Sequence, residues 1–218
     1  MKLFVIIPAF NEGRRIAEVV REVKEYSKNI VVVDDGSKDN THQIAKKTNA
    51  VVLRHLINLG KGAALRTGAE YANANGADAI LFIDSDGQHP PKGIPKLAKE
   101  LENADIVFTY RNFKSAHMPL TKKFGNFFLN KLLAMLFGIS LRDAQCGFKI
   151  MTKKAYGRLG LISSDYNIES EIAAKTGKYG LRFKQVPIET IYTDAYKGTT
   201  VFDGMSIAMR MFWWKLSR

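Results

Sequence analysis

Residues 81–91 read LFIDSDGQHPP, and the change of character inside this stretch decides how the chain is expected to fold. Leu81, Phe82 and Ile83 continue an apolar run from Ala79, the pattern of a buried strand. The run ends on Asp84 and Asp86, one residue apart, followed by Gln88, His89 and two prolines that a central strand does not accept. Working outward, the same unit recurs. LFVIIP (3–8), NIVVVDD (29–35), AVVL (50–53) and ADIVFTY (104–110) are further buried strands. Helical spacing fills the gaps: Ile16, Val19, Val20 and Val23, then GSKDNTHQIAKK (36–47) with Ser37 or Asp39 as N-cap, GKGAALRTGAEYANANG (60–76) and GIPKLAKELEN (93–103). Strands alternating with helices predict an α/β fold, a Rossmann-like, mostly parallel sheet covered by helices on both faces. Ligands of such sheets gather at the carboxyl ends of the strands. Three strands here end in candidate ligand groups, PAFNE (8–12), DDGS (34–37) and DSDGQ (84–88).

The second half is less regular. Residues 121–138 read as a helix apolar on one side, CGFKIMTKKAYGRL (146–159) as a strand and a short helix, and NIESEIAAKTGKYG (167–180) as a helix with a glycine stop. LRFKQVPIETIY (181–192) reads as a strand interrupted by Pro187, and GMSIAMRMFWWKLSR (204–218) as a basic, aromatic helix. No repeat or linker divides the chain, so a single domain is expected over residues 1–218.

With 218 residues and 46% hydrophobic content the chain can bury one sizeable core. A single cysteine, Cys146, excludes an internal disulfide and points to a reducing compartment. No window reaches the length of a membrane span. The net charge is +12, and its distribution is uneven: residues 111–158 carry ten basic side chains and one acidic, hence nine of the twelve charges. A segment so one-sided suits a phosphate-bearing partner.

Two acids sharing a strand end are costly unless partnered. A divalent cation resolves this, because carboxylates are hard oxygen ligands suited to Mg²⁺ or Mn²⁺, which complete their shells with substrate phosphates and water. Gln88 offers a further oxygen. The alternative is a plain polar loop. A P-loop is excluded, since His55 stands where its first glycine belongs, and no dinucleotide fingerprint occurs. The histidines do not cluster with Cys146 at zinc spacing.

VIIPAFNE, VVVDDGS, NLGKGAAL, DSDGQHPP and QCGFK occur in the order and approximate spacing of family 2 glycosyltransferases with the GT-A fold. Over about residues 3–160 the chain resembles, more narrowly, the dolichyl- or polyprenyl-phosphate sugar transferases, which move a hexose from UDP-glucose or GDP-mannose onto a lipid phosphate. The resemblance implies that Pro8, Phe10, Glu12, Val33, Asp35, Lys61, Asp84, Ser85 and Asp86 bind the nucleotide-sugar. It implies that Asp84, Asp86 and Gln88 hold the metal, and that Arg111, Lys122 and Lys123 meet the acceptor phosphate, with Asp86, Arg111 and Lys122 central to catalysis. Phe10 stands where the family usually has Tyr, and Lys122 where it often has Arg. In DAYKGTTVFDG (194–204), Asp194 and Thr199 replace expected cations, so the branch that uses UDP-glucose is the closer match.

An acceptor that is already an anion needs no general base, and the implied reaction inverts the anomeric carbon. Residues 121–138 and the tail from 200 to 218 mix lysines and arginines with Phe127, Phe128, Trp213 and Trp214, the composition of helices lying on an anionic membrane. A peripheral protein on the cytoplasmic face is expected, alone or with a separate membrane protein. Two rivals stand beside this reading. A family 2 enzyme acting on a glycan hydroxyl requires a carboxylate base, for which Glu169 or Glu171 are candidates. A basic nucleic-acid-binding module leaves DDGS and DSDGQ without a role, so no nucleic acid partner is expected.

Overall fold

The computed structural model describes residues 1–111, 120–189 and 201–216, with the side chains of 120–124, 126 and 201–205 excepted. Seven strands form one sheet: β1 (Leu3–Ala9), β2 (Asn29–Asp34), β3 (Val51–Arg54), β4 (Ala79–Phe82), β5 (Ile106–Arg111), β6 (Lys149–Thr152) and β7 (Phe183–Ile188). Eight helices accompany them: α1 (Ile16–Lys24), α2 (Thr41–Lys46), α3 (Lys61–Ala74), α4 (Ile94–Leu101), α5 (Leu120–Phe137), α6 (Lys153–Leu159), α7 (Asn167–Lys178) and α8 (Val201–Leu216). The strand order is β3-β2-β1-β4-β6-β5-β7. β1 pairs in parallel with β2 and β4, whereas β6 runs antiparallel to both β4 and β5.

Alternation along each strand builds the two faces. Ile6, Val31 and Val33 point into a core with Leu65 and Ala69 of α3, Leu133 of α5, Ile172 of α7 and Trp214 of α8. Val5, Ile7 and Val32 point the other way, into a core with Ile16 and Val20 of α1 and Leu97 of α4. Helices therefore cover both faces, as the near-continuous apolar strands predict.

Three local features differ from expectation. Helix α2 starts after Asn40, with Asp39 accepting from the Thr41 and Gly13 amides one residue before the cap, while Ser37 Oγ accepts from Asn11 N. β7 runs through Pro187 rather than breaking there, since among the described residues it pairs with β5 alone, at the sheet edge, the place where a strand tolerates proline. β6, with Lys149 fully buried inside the sheet, reverses direction.

Candidate active site

The order β2-β1-β4 sets PAFNE, DDGS and DSDGQ side by side at one rim of the sheet. β4 and β5 point the same way, each being antiparallel to β6, so Arg111 ends on that rim too. The reversed β6 returns the segment Cys146–Phe148 to the same place, with Lys149 opposite Phe82.

Asp84 leaves β4 beneath Gly147. A Cβ built on Gly147 would lie 2.2 Å from Asp84 Oδ2, so this position in QCGFK must lack a side chain. Asp84 Oδ1 receives Lys61 Nζ at 2.6 Å. Lys61 opens α3, and Gly60 and Gly62 explain its place: a Cβ on either would meet Ser164 or Ser163 carbonyl oxygen at 2.3 Å. That close approach brings α3 against the segment leading into α7, whose Glu169 Oε1 stands 3.0 Å from Lys61 Nζ. The other Glu169 oxygen takes the ammonium of Lys149. Burial opposes ionisation of Asp84, but the neighbouring Lys61 and other cations outweigh it and hold the carboxyl below its usual range.

Asp86 behaves in the opposite sense. Burial and then the charge of Asp84 raise its carboxyl above the ordinary range, against a single hydrogen bond from the Gln88 amide at 3.0 Å. Arg15 fixes this turn by donating to the Asp86 carbonyl at 2.7 Å. The two acids thus crowd each other, and among the described residues no cluster of three or more His, Cys, Asp or Glu is gathered for a metal. Two carboxylates are the protein donor set that Mg²⁺ or Mn²⁺ accepts when phosphates and water supply the rest. The chemistry of the Asp84 and Asp86 carboxylates fits such a cation.

Arg111 is buried and forks onto Asp143, Nε to Oδ2 at 2.6 Å and a terminal nitrogen to Oδ1 at 3.1 Å. His89 stacks on Phe148 with ring centroids 5.9 Å apart. Burial is the main cause that lowers the pKa of His89. The Cys146 thiol is pushed up to about 11, mainly by burial, which favours the neutral thiol.

Residues 4–160 match the description Glycosyl transferase family 2. The chain belongs to that family. It is therefore a glycosyltransferase. It is 39% identical over 99% of its length to the uncharacterized protein MJ1222 of Methanocaldococcus jannaschii, covering 93% of that relative. It is 33% identical over 99% of its length to the UDP-N-acetylglucosamine--dolichyl-phosphate N-acetylglucosaminyltransferase of Methanococcus voltae, covering 97% of it. Its fold is that of glucosyl-3-phosphoglycerate synthase from Mycobacterium tuberculosis, solved with Mn²⁺, UDP and glucosyl-3-phosphoglycerate. The TM-score is 0.72 at 20% identity, over 99% of this chain and 78% of that one. The fold is thus GT-A.

In this glycosyltransferase the sequence-predicted residues do not all stand together. Asp84, Ser85, Asp86, Gln88 and Lys61 stand together at the end of β4, and Phe10 and Glu12 follow β1 on the same rim, Phe10 exposed. Pro8 and Val33 are buried and face each other across β1 and β2, with the Val33 side chain in the core under α3. A ligand contact from either of them is therefore made by backbone. Asp35 is turned inward. Its oxygens accept from Leu59 N at 2.9 Å and Gly60 N at 2.8 Å, and His55 Nδ1 lies 2.7 Å away. It holds the loop before α3 in place. The Lys122 and Lys123 side chains lie outside the described residues, as do Asp194 and Thr199.

Sequence reasoning did not single out Gly147, Lys149, Asp143 or Arg15, and Glu169 was only a candidate base. Each acts through a partner distant in sequence, which no local pattern announces. QCGFK was the available signal, and its glycine is the residue the Asp84 contact demands.

Proposed function

We propose that this glycosyltransferase transfers a sugar from a uridine diphosphate donor to polyprenyl phosphate at a membrane surface, using Mg²⁺ or Mn²⁺ and inverting the anomeric carbon. The observation that carries this reading over the hydroxyl-acceptor alternative is the state of the two candidate bases. Glu169 is committed to Lys61 and Lys149. Glu171 accepts from Ile162 N and Ser163 N and pairs with Lys175 at 2.7 Å. Neither is poised to take a proton from a glycan hydroxyl, and an anionic acceptor needs no base. A phosphate monoester carries roughly −1.5 to −2 charges near neutrality.

In this reaction an acceptor phosphate oxygen attacks the anomeric carbon. The bond to the diphosphate breaks, and its electron pair leaves on the nucleoside diphosphate. A divalent cation held by Asp84, Asp86 and Gln88 would neutralise charge developing on that leaving group, and Lys61 would meet the diphosphate. Arg111 is kept in one orientation by Asp143 at the end of β5 and would meet the acceptor phosphate there, the role that the family resemblance also gives to Lys122 and Lys123. The relative named for UDP-N-acetylglucosamine and dolichyl phosphate supports both substrate classes.

The membrane side is supported by α5 and α8. Leu129, Leu133, Met211 and Trp214 face the core, while Phe127, Phe128, Met135, Met209, Phe212 and Trp213 are exposed. Lys131 and Lys215 lie beside them, Lys215 over the Phe137 ring at 5.9 Å, which joins the two helices. Aromatic and basic side chains on one surface suit an anionic bilayer. Among the described residues no helix is long and apolar enough to cross a membrane. The lone, buried Cys146 accords with a reducing compartment, hence the cytoplasmic face.

The test is transfer from radiolabelled UDP-glucose, UDP-N-acetylglucosamine and GDP-mannose, each with Mn²⁺, to polyprenyl phosphate, polyprenol and soluble oligosaccharides. Label entering polyprenyl phosphate from a uridine donor is expected. Label entering only hydroxyl acceptors overturns the proposal, and a GDP-mannose product overturns the donor class alone.

A further inference from the structure

Asp84, Lys61, Glu169 and Lys149 form a row of alternating charges running from the mouth of the site into the core. Lys61 Nζ lies 2.6 Å from Asp84 Oδ1 and 3.0 Å from Glu169 Oε1, with side-chain exposures of 15%, 24% and 3% for the three. Lys149, fully buried, closes the row. The Glu169 Oε1 contact is an ion pair off the line of a hydrogen bond, so that buried oxygen has no aligned donor. The closer partner of the Lys61 ammonium is the same carboxylate that is expected to ligate the metal. A carboxylate–metal bond of about 2.1 Å and the ammonium cannot share Asp84 Oδ1 without placing like charges side by side.

We propose that Lys61 is the resident counter-cation of Asp84 in the empty site. On this view it cedes Asp84 when the divalent cation loads, falling back on the under-used Glu169 oxygen and turning toward the donor diphosphate. The inference rests on the metal reading given above. Its consequence is coupling. Loading the cation alone leaves Lys61 only the longer Glu169 contact, whereas loading it with a nucleotide gives the displaced ammonium a new anion. Each ligand then strengthens the other by the same factor, since coupling is reciprocal. Glu169 is a positioning residue, because it keeps Lys61 paired after the exchange, while its other oxygen stays with Lys149.

The test is Mn²⁺ binding to the full chain, followed by electron paramagnetic resonance and by calorimetry, with and without UDP. Wild type is expected to bind Mn²⁺ weakly alone and about tenfold or more tightly with UDP, within the usual range of coupling between sites. Lys61→Met is expected to bind Mn²⁺ alone about tenfold more tightly than wild type, with most of the UDP coupling gone. Glu169→Gln removes the fallback and is expected to move the other way, weakening Mn²⁺ alone. Should Lys61→Met fail to fold, Glu169→Gln decides. Unchanged or weaker Mn²⁺ affinity in Lys61→Met, or unchanged or tighter affinity in Glu169→Gln, overturns the exchange. A wild type that takes up no Mn²⁺ even with UDP overturns the metal reading, and this inference falls with it. Normal uptake of Mn²⁺ with UDP but no gain in Lys61→Met overturns the exchange alone.

Discussion

Gly147 lies directly over Asp84, so that a single methyl group added to it would sit 2.2 Å from Asp84 Oδ2. Gly147→Ala must therefore move either the carboxylate or the turn before β6. Overpacking of this kind costs about 1–3 kcal/mol. The larger effect falls on function. Thermal melts should show the variant folded, with a modest fall in Tm, but with the stabilisation by Mn²⁺ and UDP mostly lost. A full ligand-induced shift in the variant would show that Asp84 is not where the ligands bind.

The Arg111–Asp143 fork is buried, and removing one member takes a charge-assisted pair from the other. Asp143→Ala is expected to cost about 3–5 kcal/mol in urea denaturation. Arg111→Lys keeps the charge but cannot fork. Kinetics with each substrate varied should show a higher KM for the acceptor and little change for the donor. Equal effects on both would place Arg111 away from the acceptor phosphate.

Asp86 gives the metal-free protein a distinctive pH response. Its carboxyl holds a proton to higher pH in the folded chain than in the unfolded one, first through burial and then through the charge of Asp84. The folded state then binds the extra proton, so this group makes stability rise as pH falls from the folded pKa toward the unfolded value of about 3.9. Asp86→Asn should flatten that slope and raise the Tm of the metal-free protein at neutral pH. The Mn²⁺-induced shift should run oppositely, growing with pH in wild type because the ligand must be ionised, and vanish in the variant. Melts across roughly pH 4.5–8, with and without Mn²⁺, check both signs.

Trp213 and Trp214 part company on α8, Trp213 55% exposed and Trp214 1%. Trp214→Ala is expected to cost about 3–5 kcal/mol, while Trp213→Ala should stay within about 0.5 kcal/mol. Sedimentation with anionic vesicles should rank them in reverse, Trp213→Ala losing binding while remaining folded. Retained vesicle binding in Trp213→Ala together with Phe212→Ala would remove α8 from the membrane surface.

Much of this architecture is legible in the sequence. β1, β2, β4 and β5 read clearly because strands buried on both faces are nearly all apolar, and the acids that follow β1, β2 and β4 mark the ligand rim. The Trp213–Trp214 pair is legible as well, since adjacent residues on a helix cannot share one narrow face. What escapes is whatever depends on a partner far along the chain. Lys149 is a charged residue in a four-residue strand, and pattern alone places such a residue outward; it is buried because Glu169 meets it there. The direction of β6 leaves no trace in KIMT. Asp35 reads as an acid at a ligand rim, yet its oxygens are taken up by the Leu59 and Gly60 amides and by His55. The family resemblance carried the site residues further than periodicity did.

The reversal of β6 has a consequence for how the protein is made. Among the described residues, β6 is the strand that joins β4 to β5. A nascent chain that has emerged through Arg111 therefore holds a three-layered beginning with its fifth strand still waiting for a neighbour. Lys61 at that stage has Asp84 but not Glu169, and Asp84 lacks the lid of Gly147. Only when α7 leaves the ribosome are both halves of the charge row present, so the capacity to hold a donor arrives late and all at once.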